Sequence, residues 1–267
     1  MKNRSSTSFE FIYQVVALIL SVILVHLVYS TVIRPRAQVD QEAQVALQSE
    51  DPSHEVKRSL YIVVRDYEQE ICSVLMFWAL AIMALKVARL YRARELLKRD
   101  LLQIDEGIRV LPEDARGLTR QIDQLKAVDQ STLVPRALTA ALHRFGASRM
   151  VQGVSEVTSS VCQSEGERLE SELSMIRYIA WAIPSVGFIG TVRGIGDALG
   201  KAHQAIEGDI AGVTESLGLA FNSTLIALVI SIVLVFFMHQ LQLLQERFIL
   251  DAEAYCEENL IRHLHAR

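Results

Sequence analysis

The chain alternates between long apolar runs and polar segments. The apolar runs cover residues 11–33, 71–91, 177–199 and 217–240. Each has about the 20 helical residues that are needed to cross a bilayer core of roughly 30 Å. The third run is interrupted by glycines and a proline, so its hydropathy alone is weaker evidence. This pattern predicts an all-α, polytopic membrane protein with four transmembrane helices.

The polar segment 92–176 predicts a helical domain outside the membrane. Apolar residues recur in it at helical spacing, as at Leu97, Leu101, Ile104 and Ile108. Such spacing is typical of amphipathic helices that pack on one another. Pro112 and Pro135 divide the segment, so we expect several helices rather than one.

Two other polar segments are predicted to be helical. Residues 34–70 have Pro35 and Pro52 as predicted breaks. After Gly218 there is neither glycine nor proline, and a helical stripe continues beyond the fourth run at Leu241, Leu244, Phe248, Ala252 and Tyr255. We therefore expect one helix from the start of the fourth run to beyond Leu260.

Basic residues indicate the orientation of the chain, because Lys and Arg beside membrane helices tend to stay in the cytoplasm. The densest basic cluster follows the second run and contains Lys86, Arg89, Arg92, Arg94, Lys98 and Arg99. Lys2 and Arg4 precede the first run, and Arg177 opens the third, whereas Arg34 and Arg36 argue the other way. This distribution predicts that both termini are cytoplasmic.

The orientation and the apolar runs together give a predicted layout. It consists of a cytoplasmic tail (1–10), a first span (11–33), a periplasmic loop (34–70), a second span (71–91), a cytoplasmic helical domain (92–176), a third span (177–199), a periplasmic loop (200–216), a fourth span (217–240) and a cytoplasmic helical extension (241–267). The first run is too long for a signal peptide and has no small-residue cleavage site after it, so we expect an uncleaved anchor.

The composition argues against several classes of function. A net charge of −4 and the lack of a long basic patch argue against nucleic-acid binding. Cys72, Cys162 and Cys256 are far apart, and no Cys/His spacing suits zinc, so we expect neither a metal nor a cofactor. The sequence has no nucleophile elbow, P-loop, HExxH or kinase signature. We therefore do not expect an enzyme.

The third run has one face of small residues. On a helix this face consists of Gly187, Gly190, Thr191, Gly194 and Ala198. In lipid, such a face lets another helix approach closely, because association there depends on packing rather than on the hydrophobic effect. Pro184 removes one backbone hydrogen bond, which predicts a kink.

The fourth run repeats this arrangement. Its stripe of small and hydroxyl side chains consists of Ser216, Ala220, Ser223, Thr224, Ala227 and Ser231. Asn222 lies off the stripe and is unusually polar for lipid, so we expect it to face another helix. Two interpretations of the two faces stay open: ordinary helix packing within one subunit, or the lining of a tight and weakly polar passage.

Ionisable residues are almost absent from the depth of the four runs, where each would cost roughly 2.5–3.5 kcal/mol. His26 lies toward the outer end of the first run, where we expect an interfacial packing role. Arg193 and Asp197 are spaced i, i+4 near the outer interface, so they can pair on the helix. The spans therefore lack a buried carboxylate, and a proton channel built from them needs one from a partner.

Residues 182–195 resemble the signature of the MotA/TolQ/ExbB proton-channel family. They read AIPSVGFIGTVRGI, and the family pattern is roughly A-P-x-x-G-x-x-G-T-V-x-G-I. The proline, both glycines, the threonine–valine pair and the following glycine–isoleucine pair all match. Residues 219–228, which read LAFNSTLIAL, resemble the second signature of the family, an alanine-rich stretch with a threonine.

The resemblance implies a ring, usually a homopentamer, around the helices of a dimeric single-span partner of the MotB/TolR/ExbD type. The aspartate of that partner carries the proton. The pore-facing threonines of the family match Thr191 and Thr224, and we add Ser223 and Asn222 to the candidate pathway. The residues expected to serve helix packing and the kink are Pro184, Gly187, Gly190, Gly194, Ala220 and Ala227. Four spans with the large polar segment in the middle are more similar to the flagellar-stator branch than to the three-span branch.

The chain also departs from the family pattern. Leu219 occupies the position at which some relatives have a glutamate before the second threonine, and Glu215 lies too far upstream to replace it. The usual glycine after the second threonine is Ala227. Residues 92–176 contain no flagellar-specific stretch, so the machine that the subunit drives stays open.

From these residues we expect the channel-forming subunit of an ion-motive-force-driven motor or energy transducer in the bacterial inner membrane. The ion is H⁺ or Na⁺, and the family favours H⁺. The alternative is a non-conducting structural ring that anchors a partner protein in the membrane.

Overall fold

A computed structural model describes residues 3–50, 59–104, 108–206 and 210–265. Two compact units divide the chain. Unit 1 consists of Met1–Met83 and Met175–Met238, and unit 2 consists of Ala84–Ser174 and His239–Arg267. The helices are α1 (Asn3–Val28), α2 (Arg34–Glu50), α3 (Leu60–Val64), α4 (Tyr67–Leu97), α5 (Ala115–Asp123), α6 (Ala127–Gln130), α7 (Leu133–Ser148), α8 (Val151–Ser171), α9 (Ser174–Gly200), α10 (Ala202–Ile206) and α11 (Ala211–Asn259).

The predicted all-α membrane fold is confirmed. Within the described ranges there is no β-strand, and an isolated bridge pairs Val110 with Leu264. Four helical stretches of this part of the chain are long and apolar enough to cross a membrane, namely Phe9–Gln44, Tyr67–Leu97, Val151–Gly200 and Ala211–His263. Large apolar side chains are exposed on them, as at Phe11, Ile23, Phe188, Phe221 and Ile232. Such side chains suit contact with lipid.

The helical backbone continues through Pro35, where the sequence predicted a break. A π-helical turn, Tyr29–Ile33, joins α1 to α2, and the Arg34 N–H donates to the Tyr29 carbonyl at the end of this turn. A proline has no N–H and its ring crowds the preceding turn of a helix. The wider π turn directly before Pro35 accommodates that crowding. The second predicted break, Pro52, lies outside the described residues.

In unit 1, polar side chains tie α1 to α4. The Tyr13 hydroxyl donates to the Ala81 carbonyl at 3.0 Å. The Trp78 indole Nε1 donates to the Gln14 carbonyl at 2.9 Å. Both groups belong to otherwise apolar helices, where an unsatisfied donor is costly. These bonds therefore fix the register of α1 against α4.

Unit 2 has a separate hydrophobic core. Its largest fully buried side chains belong to α5, α7 and the segment between α4 and α5, namely Leu102, Ile122, Leu133, Leu138, Leu142 and Phe145. The last part of α11 completes this core with Phe248, Ala252 and Cys256. The predicted layout separates residues 92–176 from the extension 241–267. In the structure both contribute to one core.

A tyrosine and a backbone bridge hold the C-terminal part of unit 2. The Tyr255 hydroxyl donates to the Arg99 carbonyl at 2.7 Å and accepts from the Leu101 N–H at 3.1 Å. The Val110 N–H donates to the His263 carbonyl at 2.8 Å. The core therefore includes the irregular segment after α4 as well as helices.

The helical spacing of Leu97, Leu101 and Ile104 does not correspond to a helix in the structure. Helix α4 ends at Leu97. The Asp100 carboxylate accepts hydrogen bonds from the N–H groups of Leu102 and Gln103, at 3.3 and 2.9 Å, and Gln103 has a φ of 45°. An aspartate that bonds the backbone two and three residues on competes with helix formation. Pro135 is buried in the first turn of α7, directly after the break between α6 and α7, where a proline is tolerated.

Helix α11 is a single element, as the sequence predicted. It runs for 49 residues, from Ala211 to Asn259. It begins earlier than expected and ends just before Leu260. It contributes residues to unit 1 up to Met238 and to unit 2 from His239 onward.

Candidate functional site

The small faces of α9 and α11 pack on each other in unit 1. This small-residue seam is formed by Gly187, Gly190, Gly194 and Ala198 of α9 and by Ala220, Ser223 and Ala227 of α11, all of which are buried. A Cβ atom on Gly194 would lie 2.9 Å from the Cα and 3.0 Å from the N of Ala220. Real Cβ atoms do not approach backbone so closely. Glycine at this position therefore permits the contact between the two helices.

The sequence leaves two interpretations of these faces open, helix packing within one subunit or the lining of a passage. In this chain each face covers the other. The physical reason is proximity, because α9 and α11 are antiparallel neighbours separated by a short connection. Periodicity identifies a face that permits close approach, but not the helix that approaches it.

Pro184 has a specific partner in the seam. A proline inside a helix frees the carbonyl four residues earlier, which here belongs to Ala180. The Ser231 hydroxyl of α11 donates to this carbonyl at 3.2 Å. A neighbouring helix thus satisfies a backbone acceptor that lipid cannot satisfy.

Three hydroxyl groups meet in the seam, and we call Thr191, Ser223 and Thr224 the hydroxyl cluster. The Thr191 and Thr224 hydroxyls are hydrogen-bonded to each other. The Thr191 oxygen lies 3.1 Å from the Ala220 carbonyl oxygen, the Thr224 oxygen lies 3.0 Å from the Gly187 carbonyl oxygen, and the Ser223 hydroxyl donates to the Ala220 carbonyl at 2.8 Å. Because a hydroxyl has one proton, one threonine donates to its carbonyl while the other donates to that threonine. Each hydroxyl can donate or accept. The cluster is therefore satisfied within the chain and can also rearrange around an added polar group.

Asn222 is the member of the predicted pathway that the structure separates from the rest. Asn222 is 7% exposed, so its polar side chain is kept away from lipid, as expected. Among the described residues, however, the hydrogen bonds of the hydroxyl cluster do not include the Asn222 amide. Thr191 and Thr224 are half-buried, so part of each side chain is accessible in the single chain.

The structure adds a buried carboxylate that sequence reasoning missed. Glu68, in the first turn of α4, is 8% exposed, and its Oε2 lies 2.9 Å from the Arg193 Nη2 of α9. Arg193 thus pairs with Glu68 rather than with Asp197, which is exposed. The signal in the sequence was the run of acids at positions 66, 68 and 70, directly before an apolar run. The predicted layout places these acids in the loop 34–70.

His26 also has a polar partner rather than a packing role alone. Its Nδ1 lies 2.8 Å from the Oε1 of Glu70, which is as buried as Glu68. The Arg34 Nη2 lies 2.5 Å from the Oε2 of the same carboxylate, and its guanidinium stacks over the Tyr67 ring at 4.5 Å. Both oxygens of Glu70 are thus paired with side chains of α1 and α2.

Two buried oxygens beside these ion pairs have no hydrogen-bond donor among the described residues. They are the Oδ2 of Asp66 and the Oε1 of Gln69. Gln69 is fully buried, and its Nε2 donates to the Val63 carbonyl at 3.1 Å. Burial raises the pKa of Asp66, whereas the neighbouring Arg65 lowers it and Glu68 raises it further. A proton on Asp66 gives its carboxyl a donor that the ionised form lacks.

We expect Asp66→Asn to stabilise the protein at neutral pH. The folded state holds the Asp66 proton more tightly than the unfolded chain, because burial raises this pKa. The associated stability is fully present below the ordinary aspartate pKa of about 3.9 and is lost as the pH rises through the folded value. Asparagine cannot ionise, so the variant should unfold at a higher temperature than the wild type at pH 7.5 but not at pH 4. Thermal unfolding in detergent measures this.

The exposed Asp197 supplies the matched control for this comparison. Asp197→Asn should leave the unfolding temperature unchanged at both pH values. The difference in unfolding temperature between Asp66→Asn and the wild type should be larger at pH 7.5 than at pH 4. An equal difference at both pH values would contradict the assignment of a buried, proton-binding carboxyl.

The fold and the site define an all-helical polytopic membrane protein with a hydroxyl cluster between its last two spans. Residues 129–254, which include α7 to α9 and most of α11, match the model of the MotA/TolQ/ExbB proton channel family. This part of the chain is similar to that family, and the match confirms the resemblance that the signatures indicated. No curated protein and no solved structure matches the chain. The match supports a membrane subunit of the proton-channel type, since the matched family is one of channels rather than of enzymes.

Proposed function

We propose that this protein is the channel-forming subunit of an ion-motive-force-driven motor or energy transducer in the bacterial inner membrane, and that the ion is a proton. Both termini face the cytoplasm in this proposal, as the basic residues predict. The observation that supports it most directly is the hydroxyl cluster, which lies between the last two spans, within the residues that match the proton-channel family.

The hydroxyl cluster needs a titrating group that binds and releases the proton. A single-span partner of the MotB/TolR/ExbD type supplies an aspartate, with a homopentamer of this chain around a dimer of that partner. A carboxylate alone in an apolar wall would hold its proton, because burial disfavours its charged form. Hydroxyls that donate to the ionised carboxylate offset this effect. A proton that crosses 100 mV then gains about 2.3 kcal/mol, which drives the cycle.

Reconstitution tests this proposal. Liposomes that contain the protein and its single-span partner should take up protons when a potassium diffusion potential is applied. Liposomes with either protein alone should not. Replacement of the partner's titrating aspartate with asparagine is the control, because it keeps the side chain's size and removes its charge. A complex that assembles but passes neither H⁺ nor Na⁺ would support the non-conducting ring instead.

A further inference from the structure

Two buried carboxylates in the first turn of α4 have different surroundings. Glu68 and Glu70 are each 8% exposed, and a buried carboxylate is costly unless it is paired. Both oxygens of Glu70 are paired, one with His26 of α1 and the other with Arg34 of α2. Glu68 instead meets α9, through Arg193. The Arg193 side chain is 51% exposed, so only one member of this pair is buried.

Glu68 lies directly beside the small-residue seam. A Cβ atom on Gly190 would lie 3.0 Å from the Glu68 Cγ and 2.5 Å from the Ser223 Oγ. The stem of the carboxylate and the Ser223 hydroxyl therefore converge on one point of α9. Ser223 belongs to the hydroxyl cluster, so the stem of this carboxylate stands next to that cluster.

An independent feature near Glu68 indicates that protons bind here. The Asp66 Oδ2 and the Gln69 Oε1 are buried acceptors for which the described part of the chain offers no donor. An orphaned acceptor is costly, and a proton on Asp66 supplies the missing donor. Asp66 also interacts electrostatically with both Glu68 and Arg193. A proton-binding group is therefore coupled to the pair that borders the seam.

We infer that Glu68 is a proton relay of this subunit, which carries protons between Asp66 and the hydroxyl cluster. Arg193 is its releasable counter-ion. This inference rests on the proposed function. In the first step a carboxylate oxygen of Glu68 forms an O–H bond as the O–H bond of a water or of Asp66 breaks. The neutral acid releases Arg193, whose exposed side chain turns to solvent. In the second step the proton passes to a water or carboxylate at the hydroxyl cluster, and the ion pair re-forms.

The groups that set the protonation of Glu68 come from each neighbouring element. Arg193 faces it from α9, and Asp66 and Cys72 interact with it from its own segment. Arg65, which precedes Asp66, pairs with Asp66 and with Glu215 of α11. The pH dependence of a Glu68 relay thus reflects this group of residues rather than an isolated glutamate.

The test compares Glu68→Gln with Glu70→Gln in liposomes that contain the assembled complex with its single-span partner. The two positions lie on the same turn of α4, are equally buried and are both ion-paired. Glu68→Gln should cut proton flux per assembled complex at least about tenfold, as expected when a proton-transfer group is removed. It should also remove the dependence of flux on the pH of the periplasmic side, where the predicted layout places residues 34–70. Glu70→Gln should lower thermal stability but keep flux per complex and the pH profile.

A double variant separates a relay from a structural ion pair. Glu68→Gln together with Arg193→Gln removes both charges of the pair. If the pair served only for stability, the double variant should recover the flux that Glu68→Gln loses, because no unpaired charge is left. A relay predicts that flux stays low in this variant. Recovered flux, or a Glu68→Gln complex with the flux and pH profile of the wild type, overturns the inference. Because wild-type flux is measured first, failure of the proposed function appears separately, as a wild-type complex that does not conduct.

Discussion

The double variant Thr191→Val with Thr224→Val is expected to cut proton flux about 10- to 100-fold while the complex still assembles. Valine keeps the shape of threonine and removes the hydroxyl. A hydrogen bond to a charged group is worth about 1.5–3 kcal/mol, and each 1.4 kcal/mol corresponds to a factor of about ten. Folding should change little, because the two hydroxyls bond to each other and both are removed, while the Ser223 hydroxyl still reaches the Gly187 and Ala220 carbonyls. Voltage-driven proton uptake into liposomes with the partner measures the effect.

Two further variants isolate the hydroxyl as the cause. Thr191→Ser with Thr224→Ser keeps both hydroxyls and should retain most of the flux. Thr214→Val is the matched control on α11, because the Thr214 hydroxyl donates at 2.9 Å to the Ile210 carbonyl of its own chain segment and is exposed. Unchanged flux in the double valine variant would mean that the threonines serve packing alone.

Gly194→Ala is expected to lower the free energy of unfolding by about 1–3 kcal/mol, as overpacking of a close contact does. The added methyl group would meet the backbone of Ala220, which cannot turn aside as a side chain does. The two helices must therefore separate, and the hydroxyl cluster between them loses its geometry. Thermal or denaturant unfolding in detergent measures the stability, and the same liposome assay measures the loss of flux.

Gly196→Ala is the matched control, two residues further along α9. A Cβ atom there has nothing within 4 Å, so the same methyl group enters open space. Alanine is favoured over glycine in a helix by up to about 1 kcal/mol in water, so this variant should be neutral or slightly more stable. Equal losses in the two variants would show that helix propensity, and not the seam, determines the cost.

Sequence periodicity was sufficient for the membrane fold and for the two small faces, but not for their contact with each other in the seam. Each small face repeats at three or four residues, which is a local property of one helix, and the signature around Thr191 is equally local. The segment after Leu97 shows the limit of this approach. Its apolar spacing is helical, but the hydrogen bonds of the Asp100 side chain take the backbone out of the helix.

The charged part of the site required the tertiary structure. The i, i+4 spacing allowed Arg193 to pair with Asp197, although the carboxylate that meets Arg193 is 125 positions away in the chain, at Glu68. Three acids before an apolar run look like a solvated loop when hydropathy is averaged. Only the contact of α4 with α9 shows that Glu68 is buried, since burial depends on a neighbour that the local sequence does not specify.

The division of unit 2 across the chain sets an order for its folding during synthesis. Its residues up to Ser174 leave the ribosome before α9 and α11 do, but Phe248, Ala252 and Cys256 complete its core. At about 5–20 residues per second, the intervening stretch takes roughly ten seconds to translate. During that time the apolar faces of α5, α7 and α8 lack their last partner and are open to chaperones or to misassembly. Insertion of the last two spans into the bilayer therefore precedes closure of unit 2, so a ribosome that stalls within α11 leaves a membrane-anchored chain with an unfinished domain.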